Sequence, residues 1–218
     1  ERFIPFSKYM GDKLGVNFEI VAIDTINFSR EIDNLDFIHT NSLLYIMLNR
    51  FNGVEVLAAE EKGSLGHKSQ GIILTRRDSG ITELGDLKGK TMIFGPMLAP
   101  TGFMAQVDLL QQAGVDPEQD LAFYTIPPGS FKHEKVIYGV FFDKYDAGSI
   151  PLDDLEIMVA DNRVALEDFN IVARNEAIPY CNFAVTQKID GSLAREFKDV
   201  LLAIGPEDKV EIDGETIK

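Results

Sequence analysis

The alternation of apolar and polar positions along the chain predicts strands and helices that follow one another almost throughout. Apolar residues recur at helical spacing in six stretches, at residues 3–14, 43–51, 101–113, 132–142, 152–160 and 193–204. Short apolar runs predict strands at residues 18–23, 36–40, 54–59, 72–75, 91–94, 121–126, 147–150, 169–173 and 183–186. The polar, acidic tail from residue 206 to 218 predicts no regular structure. This order is typical of an α/β fold with largely parallel sheets.

The grouping of these elements predicts two α/β lobes. Residues 1–70 and 184–218 form the first, discontinuous lobe, and residues 75–178 form the second. The segments near 71–78 and 178–184 then join the lobes as a two-segment hinge. A lobe inserted into another in this way suits hinge closure around a ligand.

Composition narrows the classes of function. The 218 residues include 21 Lys and Arg against 35 Asp and Glu, a formal net charge of −14. Nucleic acids and anionic membrane surfaces are poor partners for this chain, because both are bound by neutralising phosphate with basic residues. Cys181 is the single cysteine, which excludes an internal disulfide and a cysteine-rich metal site. The chain opens at Glu1 without a signal peptide, as a processed product would.

Several short motifs occur in a characteristic order. They are DFIHTN at 36–41, RDSGI at 77–81, DLKGKT at 86–91, FG at 94–95, TGF at 101–103, AGVDP at 113–117, HE at 133–134 and DAG at 146–148. In this order the chain resembles the phosphonate-, phosphite- and phosphate-type substrate-binding proteins of ABC transporters and the related sensor domains of bacterial signalling proteins. The resemblance covers about residues 3–205. It implies a type II periplasmic-binding-protein fold, an extracytoplasmic or periplasmic location, and no cofactor.

Two helix starts are candidate anion sites on physical grounds. The first N–H groups of a helix lack partners, and the helix macrodipole is positive there. One predicted helix begins near Thr40 and Asn41, and another begins near Thr101 and Gly102, each just after a strand. Ligands of open α/β folds bind at this edge of the sheet. Thr40, Asn41 and Thr101 have an alternative role as helix caps.

The resemblance implies roles for three further residues and marks Ser69 as a departure. Tyr45 matches a ligand-contacting tyrosine, His133 a histidine that donates to an anionic oxygen, and Asp153 a carboxylate that receives a ligand's amino group. Ser69 stands where the family has a tyrosine on the hinge strand. Alternatively, the Tyr45 ring packs between the lobes, and Asp153 with its acidic neighbour favours a helix start.

The chain departs from the family at the second helix start. Ala99-Pro100-Thr101-Gly102 stands where the family has Ser-Thr-Ser-Gly, so two hydroxyls are missing. Pro100 also has no N–H to donate. A ligand bound here therefore has fewer partners than the family usually offers.

The sequence is compatible with three functions. The first is a receptor that delivers a small anionic ligand to an ABC transporter permease, and the second is a sensor domain coupled to its own signalling module. The third is an enzyme that uses Cys181 or His133, although the phosphate-loop, Gly-x-Ser-x-Gly and His-Glu-x-x-His motifs are all absent. The sequence thus predicts a binding protein rather than an enzyme. The histidines are far apart in the sequence, and His39 and His67 are interpreted as structural, so no metal site is predicted.

Overall fold

The computed structural model describes residues 3–129, 132–205, 207–212 and 215–217. The helices are α1 (Phe3–Leu14), α2 (Phe28–Glu31), α3 (Ser42–Asn52), α4 (Ala105–Gln112), α5 (Lys132–Phe141), α6 (Leu152–Ala160) and α7 (Gly191–Ala203). The strands are β1 (Phe37–Thr40), β2 (Glu55–Ala59), β3 (Lys68–Ser69), β4 (Gly71–Arg76), β5 (Thr91–Ile93), β6 (Phe123–Thr125), β7 (Ala147–Pro151), β8 (Phe169–Arg174), β9 (Ile178–Pro179), β10 (Asn182–Val185), β11 (Val210–Ile212) and β12 (Glu215–Ile217). No helix within these ranges is both long and apolar enough to cross a bilayer.

The chain divides into two compact units. Unit 1 comprises Glu1–Thr40, Leu44–Ala59 and Asn182–Lys218, and unit 2 comprises Asn41–Leu43 and Glu60–Cys181. Residues 60–70 thus group with unit 2, whereas the sequence placed them in the first lobe. Strand β4, which covers most of the first predicted hinge segment, is hydrogen-bonded to both β7 and β8 inside unit 2. Hinge motion about these segments stays a prediction.

Unit 1 is built on a three-stranded antiparallel sheet in the order β1-β10-β2. Side chains of β1 alternate between its two faces. Ile38 joins a buried apolar cluster with Leu44 and Leu48, which lie one turn apart on α3. On the other face the ring of Phe37 stacks on Phe197 of α7, with centroids 4.0 Å apart. The unit is therefore held together by apolar and aromatic packing on both faces of its sheet.

Unit 2 contains a five-stranded mixed sheet in the order β6-β5-β7-β4-β8. Strand β5 is parallel to β6 and β7, but β4 is antiparallel to β7 and β8. The prediction of largely parallel sheets is therefore wrong. The pattern of apolar positions reports which faces of a strand are buried, and it does not fix the direction in which neighbouring strands pair.

Helices cover both faces of this sheet. Ile72 and Leu74 of β4 pack with α5 and α6, while Ile73 between them packs on the opposite face with α4. A Cβ placed on Gly148 of β7 would lie 2.6 Å from Cγ1 of Val136 on α5. Glycine at this position lets the middle of α5 lie directly on the sheet.

Three local predictions differ from the structure. Residues 18–23 form no strand, because Ile20 and Val21 are 45% and 58% exposed and no strand among the described residues pairs with them. In the tail, β11 and β12 pair in antiparallel direction, where the sequence predicted no regular structure. The helix predicted at 101–113 begins as a π-helical turn, Pro100–Met104, and continues as α4.

Candidate functional site

A close turn follows strand β5 in unit 2. The Gly95 N–H donates to the Gly102 carbonyl at 2.9 Å, and the Ser149 hydroxyl donates to the same carbonyl at 2.5 Å. A Cβ on Gly95 would lie 3.0 Å from Cα of Gly102. The two glycines therefore allow the chain leaving β5 to lie against the start of the next helix, where ligands of α/β folds bind.

The helix start itself lacks a side-chain cap. The N-cap position is occupied by Ala99, which makes no side-chain hydrogen bond, and Pro100 follows it. Thr101 is thus not the N-cap that the alternative interpretation required; it lies in the first turn and is only 6% exposed. Its carbonyl accepts from Nε2 of the buried Gln106 at 3.0 Å, which holds the π-helical turn in place.

His133 lies in the first turn of α5 and reaches this glycine turn. Its Nε2 atom is buried and has no hydrogen-bond partner among the residues that the structure describes. A Cβ on Gly102 would lie 2.9 Å from that nitrogen, so glycine at this position lets the backbone of the turn pack directly against Nε2. The other ring nitrogen, Nδ1, lies 2.5 Å from Oδ2 of Asp154 on α6.

A buried charge network extends from Asp154. The Lys62 ammonium lies 2.9 Å from Oδ1 of Asp154 and 2.6 Å from Oδ2 of Asp153. The Ser69 hydroxyl donates to Oδ1 of Asp153 at 2.9 Å, and Asp153 is only 7% exposed. Lys62 also donates to the Tyr180 hydroxyl at 3.2 Å. The Lys62 side chain is therefore held at several points.

The charges in this network stabilise one another. Burial opposes ionisation of Asp154, but its hydrogen bond with His133 and the charge of Lys62 outweigh burial and lower its pKa to about 2. Burial also disfavours the charged form of Lys62, yet the Asp153 and Asp154 carboxylates raise its pKa above the ordinary value. Burial raises the pKa of the Tyr180 phenol, which keeps that hydroxyl neutral.

The ionised state of Asp154 decides the tautomer of His133. An ionised carboxylate can only accept hydrogen bonds, so Nδ1 of His133 carries a proton and donates. Nε2 is then the ring atom with remaining hydrogen-bonding capacity. It is an acceptor when the ring is neutral and a donor when the ring is protonated.

The structure brings several of the predicted site residues into one chain of contacts within unit 2. Gly102 lies beside His133, and Ser69 and Asp153 follow through Asp154 and Lys62. Asp153 and Asp154 also occupy the first turn of α6, as the helix-start interpretation expected. A contact of Asp153 with a ligand's amino group stays a prediction.

The remaining predicted residues lie elsewhere. Asn41 of unit 2 donates from Nδ2 to the Leu98 carbonyl at 3.1 Å, just before the π-helical turn. In unit 1, Tyr45 packs against the apolar cluster around Leu44, and Thr40 pairs with Asn182 across the sheet. Ligand contacts by these residues stay predictions.

Sequence reasoning missed Lys62, which makes the central contacts of the network. Lys62 follows two glutamates in a stretch without regular periodicity, and its carboxylate partners lie 91 and 92 residues further along the chain. No feature of the sequence around Lys62 indicates an ion pair with such distant residues. A usable signal was the pair of acidic residues at the start of α6, since two adjacent buried carboxylates require a cation or a proton.

An open groove along β8 is not the candidate site. It is lined by Arg77, Thr82, Leu166 and residues 169–172, and it contains none of the predicted site residues. Its polar side chains are already used locally, because Arg77 donates to the Glu167 carbonyl at 3.2 Å and Asn170 donates to the Arg77 carbonyl.

The fold defines the class of protein, a type II periplasmic binding protein. The family model described as "ABC transporter, phosphonate, periplasmic substrate-binding protein" matches residues 1–214. The chain belongs to this family. Family members are periplasmic substrate-binding proteins rather than enzymes, and the resemblance drawn from the sequence is confirmed.

Solved structures confirm the fold. PhnD1 of Prochlorococcus marinus, in complex with methylphosphonate, superposes with a TM-score of 0.82 at 18% identity, over 95% of this chain and 80% of that one. XAC2383 of Xanthomonas citri, bound to ATP, gives a TM-score of 0.74 at 21% identity, over 93% of this chain and 78% of that one.

One relative of this chain is a signalling protein. The tetrathionate sensor histidine kinase TtrS of Salmonella typhimurium is 28% identical over 173 residues, which is 76% of this chain. The aligned region is 28% of TtrS, so the chain spans little more than a quarter of the length of that relative.

Proposed function

We propose that the chain is an extracytoplasmic binding protein that captures a small oxyanion beside His133 and delivers it to an ABC transporter. The observation that carries this proposal is the buried Nε2 atom of His133, which lacks a partner among the described residues and faces the glycine turn. A buried polar atom without a partner is costly, and a ligand oxygen would satisfy it.

The chemistry around Nε2 favours an anion. A protonated His133 ring donates to an oxyanion. The helix that begins at Pro100 and continues as α4 contributes the positive end of its dipole. Glycine at 95 and 102 lets the turn pack directly against the His133 ring. The net charge of −14 does not oppose binding, because distant surface charges are screened beyond about 8 Å at physiological salt.

A sensor role is the second candidate, and the similarity to TtrS favours it. In that case ligand binding would be passed to a signalling domain of the same polypeptide instead of a permease. The coding sequence discriminates between the two. A membrane-spanning segment and a kinase or cyclase domain after residue 218 would select the sensor, and a stop codon there would select the transporter.

A ligand screen with matched histidine variants tests the binding function. We expect at least one of methylphosphonate, phosphate, phosphite, sulfate and tetrathionate to raise the melting temperature of the protein and to bind in titration calorimetry. His133→Asn keeps a donor near Asp154 but removes Nε2, and it should weaken binding at least tenfold. His67→Ala, at an exposed position, should bind as the wild type does. A wild-type protein that binds none of these anions contradicts the proposal.

A further inference from the structure

The buried acidic pair on α6 lies against donors and a cation of the protein itself. Ser69 donates to Oδ1 of Asp153, and Asp154 is hydrogen-bonded by Lys62 at Oδ1 and by His133 at Oδ2. Oδ2 of Asp153 accepts no hydrogen bond from the described residues, but it forms an ion pair with the Lys62 ammonium at 2.6 Å. Two adjacent carboxylates at a helix start could otherwise hold the ammonium group of a bound molecule. Here the protein supplies that ammonium group itself.

We propose that Lys62 determines the ligand specificity of this site by acting as a built-in substitute for a cationic group of the ligand. The site then takes small oxyanions that carry no ammonium group and rejects those that do. This inference rests on the proposed function, because it concerns the ligand that binds beside His133. It assigns to Lys62 a role that no sequence motif marks.

The position of Lys62 is fixed well enough to act in this way. Its Nζ atom contacts both carboxylates and the Tyr180 hydroxyl, and it lies 5.3 Å from the centroid of the Tyr180 ring. The side chain is 18% exposed. Moving it away would leave two ionised carboxylates without a cation in a largely buried position, which is strongly unfavourable.

A ligand with an ammonium group would meet two costs at this site. The group would lose hydration without gaining a carboxylate partner, and it would lie near the like charge of Lys62. An oxyanion without a cation meets neither cost. Lys62 also offsets the negative charge of Asp153 and Asp154, which would otherwise repel the anion.

Pairs of ligands that differ by one amino group test the specificity. We would compare ethylphosphonate with 2-aminoethylphosphonate, and ethanesulfonate with 2-aminoethanesulfonate, by titration calorimetry of the complete chain. The wild type should bind the amine-bearing compounds at least tenfold more weakly than the tightest amine-free oxyanion, a difference of about 1.4 kcal/mol. Lys62→Met keeps the length of the side chain and removes its charge. This variant should bind an amine-bearing compound at least tenfold more tightly than the wild type does.

Lys62→Arg is the matched control, because it keeps the charge and should keep the preference against amines. Amine-bearing compounds that bind the wild type as tightly as any amine-free oxyanion would overturn the inference while leaving the proposed function intact. A folded Lys62→Met variant with no gain for either amine would also overturn it. If Lys62→Met does not fold, the ratio measured on the wild type decides. A wild type that binds no oxyanion at all fails the earlier screen, and the proposed function fails with the inference.

Discussion

The two units of the chain bury different kinds of side chain. Unit 1 is held by stacked rings such as Phe37 on Phe197 and by an apolar cluster around Leu48. Unit 2 has apolar layers on both faces of its sheet, but it also buries Asp153 and most of the side chains of Lys62 and Asp154. Buried charges contribute little net stability compared with well-packed apolar groups. The buried charges of unit 2 are therefore not explained by stability, whereas the interior of unit 1 consists of apolar packing with a few uncharged polar side chains such as Thr40 and Asn182.

The largest expected effect is in the aromatic core of unit 1. Phe197→Ala removes a ring that is 2% exposed, and we expect a loss of about 3–5 kcal/mol in the free energy of unfolding. Leu202→Ala on the same helix is the control, because Leu202 is 64% exposed and its loss should cost less than about 0.5 kcal/mol. Urea unfolding measures both values. Similar losses for the two variants would contradict the assignment of Phe197 to the core.

The next effect is in the charge network of unit 2. Lys62→Met leaves Asp153 and Asp154 without their cation, and we expect unfolding free energy to fall by about 3 kcal/mol. Lys8→Met in unit 1 removes a cation from an exposed pair with Asp12, and it should change stability by less than about 0.5 kcal/mol. The same urea experiment applies. Equal changes at positions 62 and 8 would mean that the network is as solvated as a surface ion pair.

Acid should remove the contribution of Asp154 selectively. Its pKa is about 2 in the folded chain and about 3.9 when unfolded, so its ionised form stabilises the fold at neutral pH by about 2 kcal/mol. This contribution is present above pH 4 and is lost as pH falls from about 4 towards 2. The stability difference between wild type and Asp154→Asn should shrink across that range. For Asp12→Asn, in the exposed pair of unit 1, the stability difference from the wild type should stay small at every pH. If that difference shrank in acid as the Asp154→Asn difference does, the effect would not be specific to the buried network.

The smallest expected effect concerns the packing that positions α5. In Gly148→Ala the new methyl group would meet Cγ1 of Val136 and Cγ2 of Val140 at less than 3 Å, which should cost about 1–2 kcal/mol. In Gly191→Ala, at the start of α7 in unit 1, the methyl group meets no atom within 4 Å. That variant should be as stable as the wild type or slightly more stable. Thermal unfolding distinguishes them, and a tolerated alanine at 148 would contradict close packing of α5 on β7.

The elements were largely predictable because their apolar positions repeat locally. The stripe on α3 and the buried run of β4 each carry their own signal within a few residues. The prediction of a strand at residues 18–23 was wrong, because an apolar run becomes a strand only when another strand pairs with it. Here Phe18 packs on Phe37 and Phe197 instead. Strand direction was not predictable for the same reason, since pairing is decided by distant parts of the chain.

The site was predictable only where a motif carried it. The motifs identified Gly102 and His133, and correspondence with the family identified Asp153; the structure links these residues in unit 2. The identity of the cation beside Asp153 was not predictable, because an ion pair between residues 62 and 153 leaves no trace in local sequence. The π-helical turn was equally hidden, since its wider hydrogen bonding depends on contacts such as that of Gln106 with the Thr101 carbonyl.

The irregular pairing of β4 with β8 has a consequence for self-association. Strand β8 lies at the edge of the five-stranded sheet, and its register with β4 shifts between Ile73 and Leu74. Such a bulge increases local twist and bends the strands, so the free edge does not offer the straight template that a second chain needs for edge-to-edge pairing. We therefore expect β8 to be a poorer partner for a second chain than a straight edge strand would be.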